Sequence, residues 1–127
     1  MRTLLLALLL IVPLSPASAD SLYDKCMDMA DGINPGFGKC GGEWVARADA
    51  KLNTAWKELM GHFKDREEAK QYLLTEQRLW NAYKESGSNF YNSGFGREGQ
   101  VIHFPACRAR IIENRINDLE IYRSDAE

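Results

Sequence analysis

The sequence predicts an all-α fold: a small disulfide-containing helical bundle with three long helices and one short N-terminal helix. Apolar side chains recur at spacings of three and four in three long segments, which is the repeat of a helix that buries one face. No segment of any length alternates apolar and polar residues as a half-buried strand does. Stretches rich in glycine and serine separate the helical segments. This pattern predicts one compact helical domain.

The first segment, residues 1–19, has the three parts of a secretory signal peptide. Arg2 supplies a positive charge, an apolar run extends from Leu4 to Leu14, and Ala17-Ser18-Ala19 supplies small residues for cleavage. The apolar run is too short for a permanent membrane span, although a retained anchor is the alternative. We therefore expect export and a mature domain of residues 20–127.

The charge of this mature domain is mildly negative. Residues 1–19 contain one basic and no acidic side chain, so 15 Lys and Arg remain against 18 Asp and Glu, a net charge of −3. This balance is too small to indicate binding to nucleic acid or to an anionic membrane. It is compatible with a cationic partner.

Three cysteines lie in the mature domain, and export places them in an oxidising compartment where a disulfide is the default. Of the three possible pairings, we expect Cys26–Cys40, which closes the shortest loop. Such a loop contributes about 3 kcal/mol in the chain-entropy model. Cys107 is then left over, either buried and inert or available for a bridge between two chains.

The first half of the mature domain predicts two helices joined by a loop. Residues 20–31 form the short helix, and five glycines and a proline in 32–42 predict a loop, which contains Phe37. Residues 43–63 form the second helix. Its inward arc holds Trp44, Val45, Ala48, Leu52, Ala55, Trp56, Leu59 and Phe63.

The third helix covers residues 66–88, and we expect it to pack antiparallel to the second because the connection is short. Asp65 and Glu68 fit a capping box, with Asp65 as N-cap. The predicted buried arc of roughly 120° contains Ala69, Tyr72, Leu73, Leu79, Trp80 and Tyr83. Glu76 falls in the middle of this arc, where a carboxylate requires a partner.

The last part of the chain predicts a loop at 86–100 and a final helix. Four glycines and three serines in the loop argue against regular structure, and Pro105 suits the first turn of a helix that extends to about Tyr122. The inward arc of this helix holds Cys107, Ile111, Ile112, Arg115, Leu119 and Tyr122. We expect Arg115 to pair with Glu76 across the bundle.

The residues do not predict an enzyme, a metal site or a cofactor. His103 and Cys107 are four apart, but Pro105 lies between them and no third group is nearby to orient a catalytic pair. The two histidines, His62 and His103, lie in separate regions, and no CxxC or HExxH occurs. The sequence does not exclude a pair of carboxylates that cleaves glycosides, because acidic residues are common, and Glu76 is the candidate.

The loop at 86–100 is the candidate binding segment. Tyr, Ser, Gly and Asn dominate it, as they do in loops that recognise other proteins. The proposed contact residues are Phe90, Tyr91, Asn92, Phe95 and Arg97. The alternative is that the three aromatic rings fold back onto the bundle.

Four groups of residues occur in a recognisable order. The cysteines Cys26 and Cys40 come first, and Ala48-Asp49-Ala50-Lys51-Leu52-Asn53 with Trp56 follows. The third string is Gln77-Arg78-Leu79-Trp80-Asn81-Ala82-Tyr83-Lys84-Glu85, and the late residues are Cys107, Arg115 and Leu119. Together they resemble the exported lysozyme-inhibitor family typified by LprI, whose strings are A-D-x-x-L-N-x-x-Y and Q-R-x-W-x-x-Y-R-D-A-x-C. The resemblance covers about 22–120.

The chain departs from the family pattern at three places. Ser88 stands where the family carries a third cysteine, the natural partner of Cys107, so the resemblance implies a missing second bridge. Lys84 and Glu85 replace Arg and Asp, which keeps the charges but loses the fork of Arg. No cysteine for lipid attachment lies at the predicted cleavage point, which implies a protein without a lipid anchor.

The resemblance implies a small periplasmic or secreted helical domain and, for one branch of the family, inhibition of lysozyme. Structural roles are expected for Asp49, Asn53, Glu76, Trp80, Tyr83 and Arg115. Inhibition would work by occlusion, with the loop filling the glycan cleft of a cationic lysozyme. The alternative is an envelope interaction or immunity-type module with another protein partner.

Overall fold

The computed structural model describes residues 20–126, so the expected signal peptide lies outside the described residues. The helices are α1 (Ser21–Met29), α2 (Asn34–His62), α3 (Glu67–Ser86), the single turn α4 (Gly96–Glu98) and α5 (Phe104–Asp125). No strand occurs in residues 20–126. The predicted all-α bundle of three long helices and one short one is confirmed.

Helix α2 begins nine residues earlier than predicted, and the loop expected at 32–42 is wrong. Pro35 occupies the first turn of α2, where its missing N–H costs nothing. The glycines inside this helix permit close packing, because a Cβ on Gly41 would lie 2.5 Å from Cγ of Pro105. Tertiary packing thus overrides the low helix propensity of glycine.

The capping box predicted at Asp65 is also wrong. Helix α3 begins at Glu67, with Arg66 as an N-cap that makes no side-chain capping bond. The backbone N–H of Arg66 instead donates to Phe63 O at 2.9 Å in the turn that follows α2. This turn therefore holds Arg66 outside the helix, one residue later than a box at Asp65 requires.

Helices α2 and α5 run parallel and form the main interface of the bundle. Gly41 lies beside Pro105 at one end, and Arg123 donates to Glu58 towards the other. Helix α3 runs antiparallel to both. It packs chiefly on α5 rather than on α2, so the predicted orientation is right although the contact between α2 and α3 is slight.

The core consists of two clusters of buried apolar residues that meet at Val45. The larger contains Ala48, Leu52, Leu59, Phe63, Leu73, Ile112 and Leu119. The second joins α1 to α2 and α5 through Tyr23, Ala30, Cys40, Trp44, Ala106 and Ala109. The inward arc predicted for the second helix therefore points into the core. That of the last helix does so through Ile112 and Leu119, whereas Tyr122, predicted to face inward, is exposed.

The segment between α3 and α5 has regular turns, which corrects the irregular loop expected at 86–100. A 3-10 turn covers Asn89–Asn92, α4 follows, and a π-helical stretch, Gly99–His103, leads directly into α5. The turns form because Gly99 is buried against the 3-10 turn, where a Cβ would lie 2.3 Å from Tyr91 O. Pro105 lies in the first turn of α5 as predicted, and the helix ends at Asp125, three residues beyond the expected Tyr122.

Candidate functional site

Four aromatic side chains form a cluster at the end of the bundle where α3 finishes and α5 begins. We call this cluster, Phe90, Tyr91, Phe95 and His103, the aromatic cap. The ring centroids of Phe90 lie 4.7 Å from those of both Tyr91 and Phe95, and Tyr91 stacks on His103 at 5.4 Å. Phe90 is 65% exposed and Phe95 is also exposed, so the cap presents apolar rings to solvent.

Backbone geometry holds this cap in place. Ser88 begins the segment at φ 73°, and Gly94 and Gly96 have φ of 84° and 63°, which glycine adopts without strain. The guanidinium of Arg97 donates to Gln100 Oε1 at 3.0 Å. The segment is therefore a set of packed turns, with the close contact of Gly99 at its centre.

The structure gives the five proposed contact residues different environments. Phe90, Asn92, Phe95 and Arg97 are exposed, whereas Tyr91 is half-buried against His103. Each of the two predictions for this segment is therefore right for part of it: Tyr91 folds back onto the bundle, and the two Phe rings stay exposed. A cap whose rings already pack on one another can bind a partner with little loss of conformational entropy.

The two histidines and the free cysteine each have a defined environment in the structure. His103 is exposed and stacks on Tyr91, while Cys107 is a half-buried free thiol. The other histidine, His62, packs edge-on against Phe63. No group of three or more potential metal ligands occurs among residues 20–126.

Glu76 belongs to a polar network between α3 and α5. Arg115 is only 4% exposed and donates from Nη1 to Glu76 and from Nε to Gln77 Oε1. Tyr122 donates to the same Glu76 oxygen at 2.9 Å, and this hydrogen bond, with burial, raises the pKa of the phenol. The expected pair between Glu76 and Arg115 is thus present, and the network gives Glu76 a structural role.

The arc predicted to be buried on α3 is largely wrong. Leu73 is buried, but Tyr72 and Leu79 are exposed and Tyr83 is 60% exposed, so Tyr83 is not a core residue. Helix α3 packs on α5 through the side that carries Leu73 and Glu76. Tyr72, Leu79 and Tyr83 lie outside this contact. Trp80 is half-buried, with Lys84 Nζ 5.4 Å from its ring centroid.

We call Tyr72, Leu79 and Tyr83 the α3 stripe, since at 100° per residue they share an arc of about 40°. The sequence contains this signal, since the three residues cluster at one edge of the predicted apolar arc and Leu73 lies towards the other. On α2, Asp49 is half-buried and Asn53 is exposed.

Two contacts that fix α1 were not anticipated from the sequence. Asp20 caps α1 by accepting from the backbone N–H groups of Leu22 and Tyr23, and it also accepts from Arg47 at 3.0 and 3.1 Å. The hydrogen bond from Arg47 is the largest cause that lowers the pKa of Asp20. A charged residue at an N-cap position, D-S-L-Y, was the available signal.

The disulfide joins Cys26 to Cys40, as expected, and ties α1 to the second turn of α2. Trp44, one turn further, donates from Nε1 to Glu113 at 2.7 Å and packs against Tyr23 with ring centroids 4.5 Å apart. Within the described part of the chain, no helix combines the length and the apolar character needed to cross a membrane.

Comparison with known proteins gives one finding. The family model described as "Lysozyme inhibitor LprI" matches residues 26–119, well over half of the chain and including both disulfide cysteines and the aromatic cap. Searches of curated proteins and of solved structures found no significant match. The chain therefore belongs to the LprI lysozyme-inhibitor family.

Proposed function

We propose that this protein is an exported, periplasmic or secreted domain that inhibits a lysozyme-type glycan hydrolase by placing the aromatic cap in its glycan cleft. The family match over residues 26–119 is the observation that carries this proposal. On this proposal the protein acts as a binding domain and not as an enzyme. Its partner is another protein, and no cofactor takes part.

The geometry of the cap supports this mechanism. Phe90 and Phe95 project from a segment that Gly99 and the Tyr91–His103 stack hold rigid. A protruding pair of aromatic rings can enter a cleft and bury large apolar area, as binding hot spots do. Asn92 and Arg97, both exposed beside the rings, supply hydrogen-bond donors for the polar rim of the cleft.

The charge of the mature domain supports the same partner. Its net charge of −3 favours encounter with a basic protein and disfavours encounter with an acidic one. The effect acts mainly on the association rate and falls as salt is added. On this proposal the cap occludes the cleft, and the acidic side chains steer the encounter.

A second function follows from the α3 stripe. Three large apolar side chains on one exposed helix face are suited to contact with another protein. An envelope interaction or immunity-type module without lysozyme activity would use this face instead of the cap. The two functions thus predict different sensitive residues.

A lysis assay separates the two. The mature domain, in micromolar excess, is added to lysozymes of several classes acting on cell-wall substrate, and loss of lysis is measured. The double variant Phe90→Ala/Phe95→Ala should lower inhibition by about tenfold or more, because hot-spot aromatics carry most of the binding energy.

The matched control is Tyr72→Ala/Leu79→Ala, which removes similar apolar area from α3. We expect it to inhibit as the wild-type protein does. Absence of inhibition against every class would contradict the proposed function. Inhibition that depends on the α3 stripe and not on the cap would overturn the mechanism and favour the second surface.

A further inference from the structure

We propose that the corner between α1 and α2 is a second docking surface, and that its occupant is the basic surface of the protein that the aromatic cap engages. We define the α1–α2 corner by Met29 and Ile33 with Asp28 and Asp31. This inference rests on the proposed function and adds to it the position of the electrostatic contact.

The corner presents large apolar side chains that are exposed to solvent and do not pack into the core. Met29 is 75% exposed and Ile33 is 58% exposed. Asp31 and Gly32, both at positive φ, form the tight turn that separates them. The turn is open to solvent, since a Cβ on Gly32 would meet nothing within 4 Å. These residues are thus accessible to a partner.

Charge identifies the kind of partner. Asp24, Asp28 and Asp31 are exposed and make no ion pair within residues 20–126, whereas Lys25 is the basic side chain of α1. The fourth acid of this region, Asp20, is neutralised by Arg47. The corner therefore carries an uncompensated negative charge next to its apolar side chains.

The basic side chains near α1 reduce this excess but do not remove it. Lys25 lies on α1, and the charge of Arg110 on α5 reaches Tyr23, as that of Asp24 does. Two bases therefore stand against three aspartates. Lys39, at the start of α2, is paired with Glu43. At the cap, Arg97 and Glu98 carry opposite charges and are adjacent in sequence. An apolar patch with acidic side chains beside it is complementary to a surface with exposed Lys and Arg, and like-charged partners would be rejected.

The corner and the aromatic cap lie at the same end of the bundle. The first turns of α2 pack against the π-helical stretch, where a Cβ on Gly38 would lie 3.7 Å from Val101 Cγ1. The Cys26–Cys40 disulfide holds α1 against those turns. One partner can therefore contact the Phe rings of the cap and the acids of the corner together.

Binding kinetics test this inference. The probe is a basic lysozyme that the wild-type domain inhibits, immobilised for measurement at low and high ionic strength. Asp28→Asn/Asp31→Asn should lower the association rate roughly three- to tenfold at low salt and converge with the wild type at high salt. Met29→Ser/Ile33→Ser should raise the dissociation rate. Asn is tolerated at the positive φ of Asp31, and Ser is a good N-cap at position 33, so both variants should fold.

The control Asp118→Asn/Glu120→Gln removes the same charge from exposed positions on α5. It should change the association rate much less than Asp28→Asn/Asp31→Asn does. A succinylated form of the same lysozyme, with its basic groups converted to acids, should not bind. If lysozyme is inhibited and both corner variants bind as the wild type does, the corner is not a docking surface and the proposed function stands. If no lysozyme is bound or inhibited, both proposals fail.

Discussion

Gly41 and Pro105 touch so closely that the side chain of any other residue at position 41 would overlap the proline ring, with Cβ 2.5 Å from Cγ and 2.7 Å from Cβ of the ring. This contact sets the distance between α2 and α5 at the end of the bundle that carries the cap. It also explains a glycine in the interior of a long helix, where glycine is otherwise unfavourable.

We expect Gly41→Ala to lower the free energy of unfolding by about 1–3 kcal/mol, since the ring cannot move without displacing the start of α5. Gly42→Ala is the matched control, because a Cβ there meets nothing within 4 Å. It should raise stability by about 0.5–1 kcal/mol through helix propensity. Urea denaturation measures both, and equal effects would contradict the contact.

A double-mutant cycle tests the pair formed by Glu76 and Arg115. Glu76→Gln should destabilise the fold, since it leaves the buried guanidinium of Arg115 without its carboxylate. Arg115→Met fills similar volume and leaves the half-exposed Glu76 hydrated, so we expect a smaller loss. The coupling energy should be about 0.5–3 kcal/mol. Additive losses in the double variant would show that the two residues act independently.

The ion pair of Asp20 and Arg47 predicts a pH dependence. The hydrogen bond from Arg47 holds the folded-state pKa of Asp20 below its ordinary value of 3.8. The carboxylate therefore contributes its stability in full above pH 3.8, and this contribution is lost as the pH falls through the folded-state pKa.

Asp20→Asn is the variant to compare, because Asn keeps the N-cap of α1 but cannot ionise. The difference in unfolding free energy between wild type and variant should be largest at neutral pH and should shrink below about pH 3.8. Denaturation at pH 7 and at pH 3 measures it. A difference that does not change with pH would contradict the role of the carboxylate.

Thiol counting tests Cys107. The native, non-reduced protein should give one thiol per chain, since Cys26 and Cys40 are bonded and Cys107 is free. No thiol would indicate a bridge between two chains at Cys107. Mass measurement under non-reducing conditions is the control that detects such a dimer.

Ser88→Cys extends this prediction. Ser88 is buried with a hydroxyl that has no partner within residues 20–126, and its neighbour Gly87 packs against Ile111, one turn from Cys107. The variant should form a second intramolecular disulfide and give no free thiol while staying monomeric. Two free thiols per chain in the oxidised variant would show that the sulfur atoms cannot meet.

The sequence predicted the helices because apolar periodicity reports directly on helical structure, and it predicted the Glu76–Arg115 pair because a buried charge requires a partner. It could not predict the start of α2. Glycine has low helix propensity locally, and the proline that explains Gly41 lies more than sixty residues away.

The α3 stripe shows a different limit. An apolar arc has the same spacing whether it contacts the bundle or faces solvent, so periodicity alone predicts a buried Tyr83 although this side chain is exposed. For the candidate site, composition located the cap segment but not its turns. Those depend on the close packing of Gly99 on Tyr91, which composition does not encode.

Helix α1 has nine residues, too few to persist alone in water. It is held by the Cys26–Cys40 disulfide, by Arg47 and by the contact of Tyr23 with Trp44. Reduction would remove the covalent restraint and leave α1 free to open separately from the three long helices. The acidic corner that α1 carries would then lose its shape while the aromatic cap kept its own. The redox state of the surroundings would thereby decide whether the molecule presents both of these surfaces or one.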